Sequence, residues 1–322
     1  MKLHKRVSKL FSVATIGLAA SLSMGAAHAV YPEKTVQYII PFTPGGESDY
    51  VARLQAEVFK NKYKQQMVVL NKAGAGGGLV WSQLNSMPND GYTIAGVNLP
   101  HIVLQPLEGS AQFKTEDIAP VYFYHFTADA IVVPANSPYK TYQDLVKAAK
   151  DKPGSLNIAG SGSFSANHMA HERFNKVAGI KSTYVPFKGT GDLISSMLGN
   201  HVDAAMTYLP FAIQQKGKMR LLAVASAQRH SAFPDVPTFK ELGLNWVDGA
   251  YRGIAVPKST PKEIQKQVSD MMGVLNKDPE TRKKLVDGGY DLVDVPVEEM
   301  PAFLAERTKL YIQDAKDAGM VK

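Results

Sequence analysis

Pro44-Gly45-Gly46-Glu47-Ser48-Asp49 and Gly160-Ser161-Gly162-Ser163 are the two stretches of this sequence best suited to hold a charged small molecule. Each stands between an apolar, strand-like run and a helix-like one. Glycine at such a junction lets the backbone turn and come close to a ligand. Backbone N–H groups then point outward beside the positive end of a helix dipole, and the hydroxyls of Ser48, Ser161 and Ser163 add further donors. That is anion chemistry. Two such loops facing one another would hold the two ends of a small dicarboxylate without a dedicated arginine. One glycine turn alone is common in α/β proteins that bind nothing there.

Other chemistries meet obstacles in the spacing. The chain has no cysteine, which removes disulfides, thiolate nucleophiles, thiolate zinc sites and iron–sulfur clusters. Gly74-Ala75-Gly76-Gly77-Gly78-Leu79 begins like a dinucleotide fingerprint but has leucine where the third glycine belongs, and Gly217-Lys218 lacks the earlier glycine of a P-loop. Gly46-Glu47-Ser48-Asp49-Tyr50 misses the nucleophile-elbow pattern at its last residue. His168 and His171 lie three apart beside Glu172 with no legible third metal ligand, so capping, packing or a surface pair is the expected role. Asp49, Arg53 and Glu57 read as a salt-bridged helix face. Glu47 could serve as an acid/base group, but the sequence supplies no partner for it. A secreted hydrolase using Glu47 or the His168/His171 pair, metal-dependent or carboxylate-based, is the enzymatic alternative.

The elements that must position these residues alternate regularly. Val36–Phe42 reads as a buried strand, with a helix from Tyr50 capped by Asp49; Met67–Leu70 and Tyr92–Val97 are further strands. The alternation restarts at Ile131-Val132-Val133 and continues with a capping box at Thr141–Asp144, then strands at Leu156–Ala159, Thr183–Phe187, Ala204–Leu209 and Leu221–Ser226. Helices are expected up to about Val177, near Asp192–Leu198, over Pro261–Leu275 and over Glu298–Lys316. Strand, glycine loop and helix in succession predict βαβ units. Two blocks with no linker predict two lobes joined by crossing strands, with a cleft between them.

The first 29 residues read as a cleavable signal peptide: basic Lys2, Lys5, Arg6 and Lys9, an apolar run from Leu10 to Met24, then Ala27-His28-Ala29. That run is shorter than the ~20 residues of a spanning helix. The 36 Lys and Arg against 29 Asp and Glu become 32 against 29 once the leader is removed, so the mature chain is only weakly basic. No window interleaves cations with aromatics as a nucleic-acid groove would.

These residues resemble a known family, the extracytoplasmic solute-binding receptors of tripartite tricarboxylate transporters (the Bug or TctC receptors), from about Tyr31 to Ile312. The resemblance is carried by Tyr31-Pro32-Glu33-Lys34, by Gly45-Gly46 with Ser48, Asp49, Ala52 and Arg53, by Gly74-Ala75-Gly76-Gly77 and by Pro88-Asn89-Asp90-Gly91-Tyr92-Thr93. It continues through Pro134–Thr141, Pro153–Asn157, Gly160–Ser163, His168 with Glu172, and Val185-Pro186-Phe187-Lys188-Gly189. Phe187 stands where tyrosine is usual in that last motif. The resemblance implies a two-lobed α/β fold of the type II periplasmic-binding-protein kind, each lobe a mixed sheet flanked by helices, with residues 30–128 plus 250–322 forming one lobe and 129–249 the other. It implies a ligand site drawn from Phe42, Gly45, Gly46, Glu47, Ser48, Asp49, Gly76, Gly77, Gly160, Ser161, Gly162, Ser163, Asn167 and Tyr208. Phe42, His101, Phe164 and Tyr208 either make the cleft tolerant of an aromatic ligand or serve as core packing. The function implied is non-catalytic capture of a small organic carboxylate, a dicarboxylate or an aromatic carboxylate, in the periplasm of a Gram-negative bacterium. The receptor would be a monomer without metal or cofactor, not inserted in the membrane and not binding nucleic acid. Its partner would be a permease of one large and one small membrane subunit, or, alternatively, a signalling protein.

Overall fold

The computed structural model describes residues 31–321; the leader read over residues 1–29 lies outside them. The first βαβ block comprises β1 (Val36–Ile40), α1 (Glu47–Tyr63), β2 (Met67–Asn71), α2 (Gly78–Gln83), β3 (Thr93–Leu99) and α3 (His101–Glu108). Val36, Tyr38 and Ile40 of β1 are completely buried, and β1 pairs in parallel with β2 on one side and β3 on the other. A long β4 (Ala119–Pro134) follows.

The second block comprises α4 (Tyr142–Asp151), β5 (Asn157–Ser161), α5 (Ala166–Ala178), β6 (Thr183–Phe187), α6 (Thr190–Leu198), β7 (Ala204–Tyr208), α7 (Leu209–Gln214) and β8 (Met219–Val224). Thr141 caps α4 in the expected reciprocal box with Asp144. Here β5 is the central strand, parallel to β6 and β7. The chain then returns through β9 (Gly249–Val256), α8 (Lys262–Asn276), α9 (Pro279–Asp287), β10 (Asp291–Pro296) and α10 (Met300–Asp317).

All ten strands form one curled sheet in the order β2-β1-β3-β9-β4-β7-β5-β6, with β8 and β10 also paired to β4. The order reads the same from both ends: β2-β1-β3-β9 mirrors β6-β5-β7-β4. The N-terminal part of β4 pairs antiparallel with β9 and β10, and its C-terminal part with β7 and β8. Chain connections between the two half-sheets run through β4 and through the approach to β9, where Asp129 N–H bonds Asp248 O and Ala225 N–H bonds Asp129 O. Among the described residues no helix is long and apolar enough to cross a membrane.

Three sequence expectations need correction. Helix α1 starts at Glu47 with Gly46 as its N-cap, and Asp49 sits inside the first turn, accepting the Gly45 N–H. β4 is sixteen residues long rather than three, because His125, Thr127 and Asp129 interrupt its apolar pattern yet are buried in place. β9 and β10 escape a periodicity reading: Arg252 breaks the apolar run of one, and the other is half-exposed with acidic residues.

Candidate ligand-binding site

In an open parallel sheet, ligands bind beyond the C-terminal ends of strands where neighbouring connections diverge to opposite sides. β1 and β5 are those strands in their respective halves, and the glycine loops singled out in the sequence follow them directly.

In the first loop Gly45 adopts a left-handed φ of +75°, which directs its N–H to Asp49 Oδ2 at 3.0 Å. Arg53 holds both oxygens of the same carboxylate, at 3.0 and 2.8 Å. The Glu47 N–H at the start of α1 is taken by the other half-sheet, at Thr190 Oγ1, 3.3 Å away. In the second loop Asn167 Oδ1 accepts both the N–H and the Oγ–H of Ser161, at 3.1 and 2.6 Å. Ser165 caps α5 through the His168 N–H, and its own hydroxyl joins that of Tyr184 on the Gly162 carbonyl.

Between the loops lies a buried polar cavity with room for about one water, roughly 10 Å³. Phe42, Glu47, Ser48, Asn98 and His101 line it from the first half-sheet; Ser161, Thr190 and Tyr208 line it from the second; Arg252 on β9 closes it. Arg252 is 2 % exposed and Glu47 6 %. Arg252 Nη2 donates to Glu47 Oε2 at 3.1 Å, its guanidinium lies 4.5 Å from the Tyr208 ring centre, and its Nε lies 3.0 Å from the Asn98 side-chain amide, whose oxygen accepts from it once the amide is flipped. Thr127 Oγ1 donates to the other Glu47 oxygen at 3.0 Å. Burial pushes the Glu47 carboxyl above its usual range, while Arg252 and Thr127 pull the other way. Burial, reinforced by Arg252, holds the His101 imidazole well below its usual value, so it is neutral at pH 7.

Several buried polar atoms of this lining have no hydrogen-bond partner: Arg252 Nη1, the Tyr208 hydroxyl and both ring nitrogens of His101. Arginine nitrogens can only donate. A buried donor without an acceptor costs about 1–3 kcal/mol, more when charged. The cluster is therefore built to receive an acceptor-rich group, and a carboxylate offers nothing but acceptors.

Of the residues expected at the site, Phe42, Glu47, Ser48, Ser161 and Tyr208 come together around this cavity. Gly76, Gly162 and Ser163 line a wider, solvent-open cavity of about 1130 Å³ outside it. Asn167 supports the second loop from behind. Gly45 and Asp49 fold the first loop onto Arg53, Gly77 packs under the Trp81 ring, and Gly160 lies against Tyr184 and Asn167. Arg252, Asn98 and Thr190 were not foreseen. A lone cation inside an otherwise uncharged eight-residue strand was the available signal for Arg252.

His168 and His171 both contact Glu172, at 3.5 and 2.9 Å. His168 Nδ1 accepts the Phe164 N–H and its ring stacks on Tyr184, while His171 Nε2 meets Ser182 Oγ. Among the described residues no three His, Asp or Glu side chains are grouped to hold a metal ion.

A family model described as the tripartite tricarboxylate transporter family receptor matches residues 51–314. The chain belongs to that family. Its members are solute receptors rather than enzymes. The chain is 30% identical to the UPF0065 protein in the gbd 5' region of Cupriavidus necator, over 97% of this chain and 95% of that one. It is 31% identical to the protein BugT of Bordetella pertussis, over 78% of each. Among solved structures it is similar to the periplasmic binding protein BugD (25% identity, TM-score 0.84, covering 90% of this chain and 99% of that one). It is also similar to MatC of Rhodopseudomonas palustris, solved with malate (26% identity, TM-score 0.80, covering 89% and 99%), and to an R. palustris protein solved with adipate (25% identity, TM-score 0.83, covering 90% and 98%). The fold is that of the two-lobed periplasmic binding proteins.

Proposed function

We infer that this receptor captures a small organic carboxylate outside the cytoplasmic membrane and delivers it to a tripartite tricarboxylate-type transporter. The observation that carries the reading is the buried cavity between the two glycine loops, lined by Arg252, whose Nη1 donor has no partner. The carboxylates bound by the malate- and adipate-containing relatives support it, as does the leader-like sequence of residues 1–29 for a periplasmic location.

The cavity is too small for a carboxylate ligand, so its walls must part. Residues 30–128 plus 250–322 act as one lobe and 129–249 as the other, hinged where β4 and β9 cross. Opening separates Thr190 from the Glu47 N–H; closure brings the two half-sheets back together around the ligand and presents a finished surface to the large and small membrane subunits.

The test is thermal unfolding of residues 30–322 against carboxylates, amino acids, sugars and phosphates. A carboxylate at 100 times its dissociation constant stabilises by about 2.7 kcal/mol, a few degrees for a chain of this size. Stabilisation by sugars or phosphates with no response to any carboxylate overturns the reading.

A further inference from the structure

The charges around the cavity are nearly all paired, and this limits what the ligand can carry. Arg252 brings one buried positive charge and Glu47 one buried negative charge, in contact at 3.1 Å. His101 is neutral. Asp49 is turned onto Arg53, outside the cavity lining. One edge of the guanidinium, at Nη1, is left to bind an anion. A second anionic group on the ligand would find no second cation in the buried cavity. Inside, it would lie beside Glu47, whose oxygens are already engaged by Arg252 and Thr127. Outside, the wider cavity is lined by Lys188 but also by Glu108 and Asp192, so that wall carries one excess negative charge.

We propose that Glu47 is a specificity residue that restricts this receptor to monocarboxylates, rejecting a second carboxylate by like-charge repulsion in a buried site. The proposal rests on the carboxylate reading above and narrows it. Arg252 fixes one end of the ligand by a charge-assisted contact from Nη1. Glu47 keeps Arg252 oriented and makes the sum of pocket and ligand charge minus one for a monoacid and minus two for a diacid. Like charges placed together in a dry site disfavour the wrong ligand strongly. The remainder of the wall is uncharged: Phe42 packs edge-on against His101 at 5.9 Å, the Tyr208 ring lies 4.5 Å from the Arg252 guanidinium, and Ser48, Asn98, Ser161 and Thr190 add neutral polar groups. That wall suits an aliphatic or aryl body better than a second charged end.

The experiment is isothermal titration of the mature receptor with length-matched pairs: butanoate and succinate, hexanoate and adipate, benzoate and terephthalate. In each pair that binds, the monoacid is expected to bind at least about tenfold tighter. Glu47→Gln keeps the shape and removes the charge, and it should shrink that gap by about tenfold or more, mainly by strengthening diacid binding. A wild-type receptor that binds diacids as tightly as their monoacids overturns the proposal while leaving the carboxylate reading intact. An undiminished gap in folded Glu47→Gln overturns the role given to Glu47. No binding of any of the six acids, with stabilisation by uncharged solutes instead, overturns both readings. The wild-type ranking decides the matter whether or not the variant folds.

Discussion

A Cβ placed on Gly191, in the first turn of α6, would lie 2.3 Å from the carbonyl oxygen of Pro44 in the loop after β1. Thr43 Oγ1 and the Gly46 N would lie only 3.1 and 3.2 Å from the same atom. Two further glycines come close to backbone across the seam between the half-sheets: a Cβ on Gly189 would lie 2.9 Å from Thr43 N, and one on Gly162 would lie 2.6 Å from the Gly76 Cα. Gly191 has no positive φ, so alanine there meets only the opposing loop.

Gly191→Ala therefore separates closure from folding. Alanine in a helix is favoured over glycine by up to about 1 kcal/mol, so the open receptor should be as stable as wild type or slightly more so. Closure requires the Pro44 carbonyl to move, and ligand affinity should fall at least about tenfold, or about 1.4 kcal/mol. Calorimetry and small-angle scattering with and without ligand check this. Unchanged affinity with normal ligand-induced contraction would show that the seam does not form in the bound state.

Arg252 and Glu47 should be strongly non-additive. Removing one member of a buried ion pair costs about 3–5 kcal/mol, because the other charge is left uncompensated, whereas replacing both with apolar groups of similar size is often neutral. Arg252→Met alone should be destabilised by about that amount, and Arg252→Met combined with Glu47→Leu should recover most of it. The double variant should still bind no carboxylate, having lost the guanidinium. A denaturant double-mutant cycle measures the first expectation and titration the second; simple additivity would mean the pair is solvated.

Much of this arrangement is legible in the sequence, for a physical reason. Glycine-rich turns after apolar strands and serine-headed helices are local signals, so the loops after β1 and β5 can be placed without knowing the topology. Arg252 is different. Its role depends on β9 returning between β3 and β4, more than 150 residues after β3 in the chain, and no local period encodes that return. A site without an arginine is therefore what the local signals suggest, whereas the structure places Arg252 in the cavity lining. His101 and Tyr208 were visible as aromatic candidates, but the neutrality of His101 follows from burial that only the folded chain creates.

Asn167 offers a test that alters one atom. Its Oδ1 holds the Ser161 loop, while its buried Nδ2 has no partner. Asn167→Asp retains the oxygen that accepts from Ser161 and replaces the free donor with an acceptor. Carboxylate affinity should fall by about tenfold or more, because a like charge is placed directly behind the Ser161 loop that lines the cavity. Asn167→Ala should lose stability as well, since the Ser161 N–H would be buried unpaired. If Asn167→Asp binds as tightly as wild type, the loop after β5 does not hold the ligand's carboxylate.

Glu172 makes acid sensitivity predictable. Contacts with His168 and His171, opposed by its partial burial, bring its carboxyl down to about 2. An unfolded glutamate titrates near ~4.3, so between the two values the native state binds fewer protons than the unfolded state. The stabilisation is therefore complete above about pH 5 and is lost as pH falls through that window towards 2. With the carboxylate about a third exposed, solvent screening limits the contribution to about 1 kcal/mol. Glu172→Gln should be less stable than wild type by about that amount at pH 6, and the two melting curves should converge as pH is lowered to 2.5. A difference that stays constant with pH would assign the contribution to shape and hydrogen bonding rather than to charge.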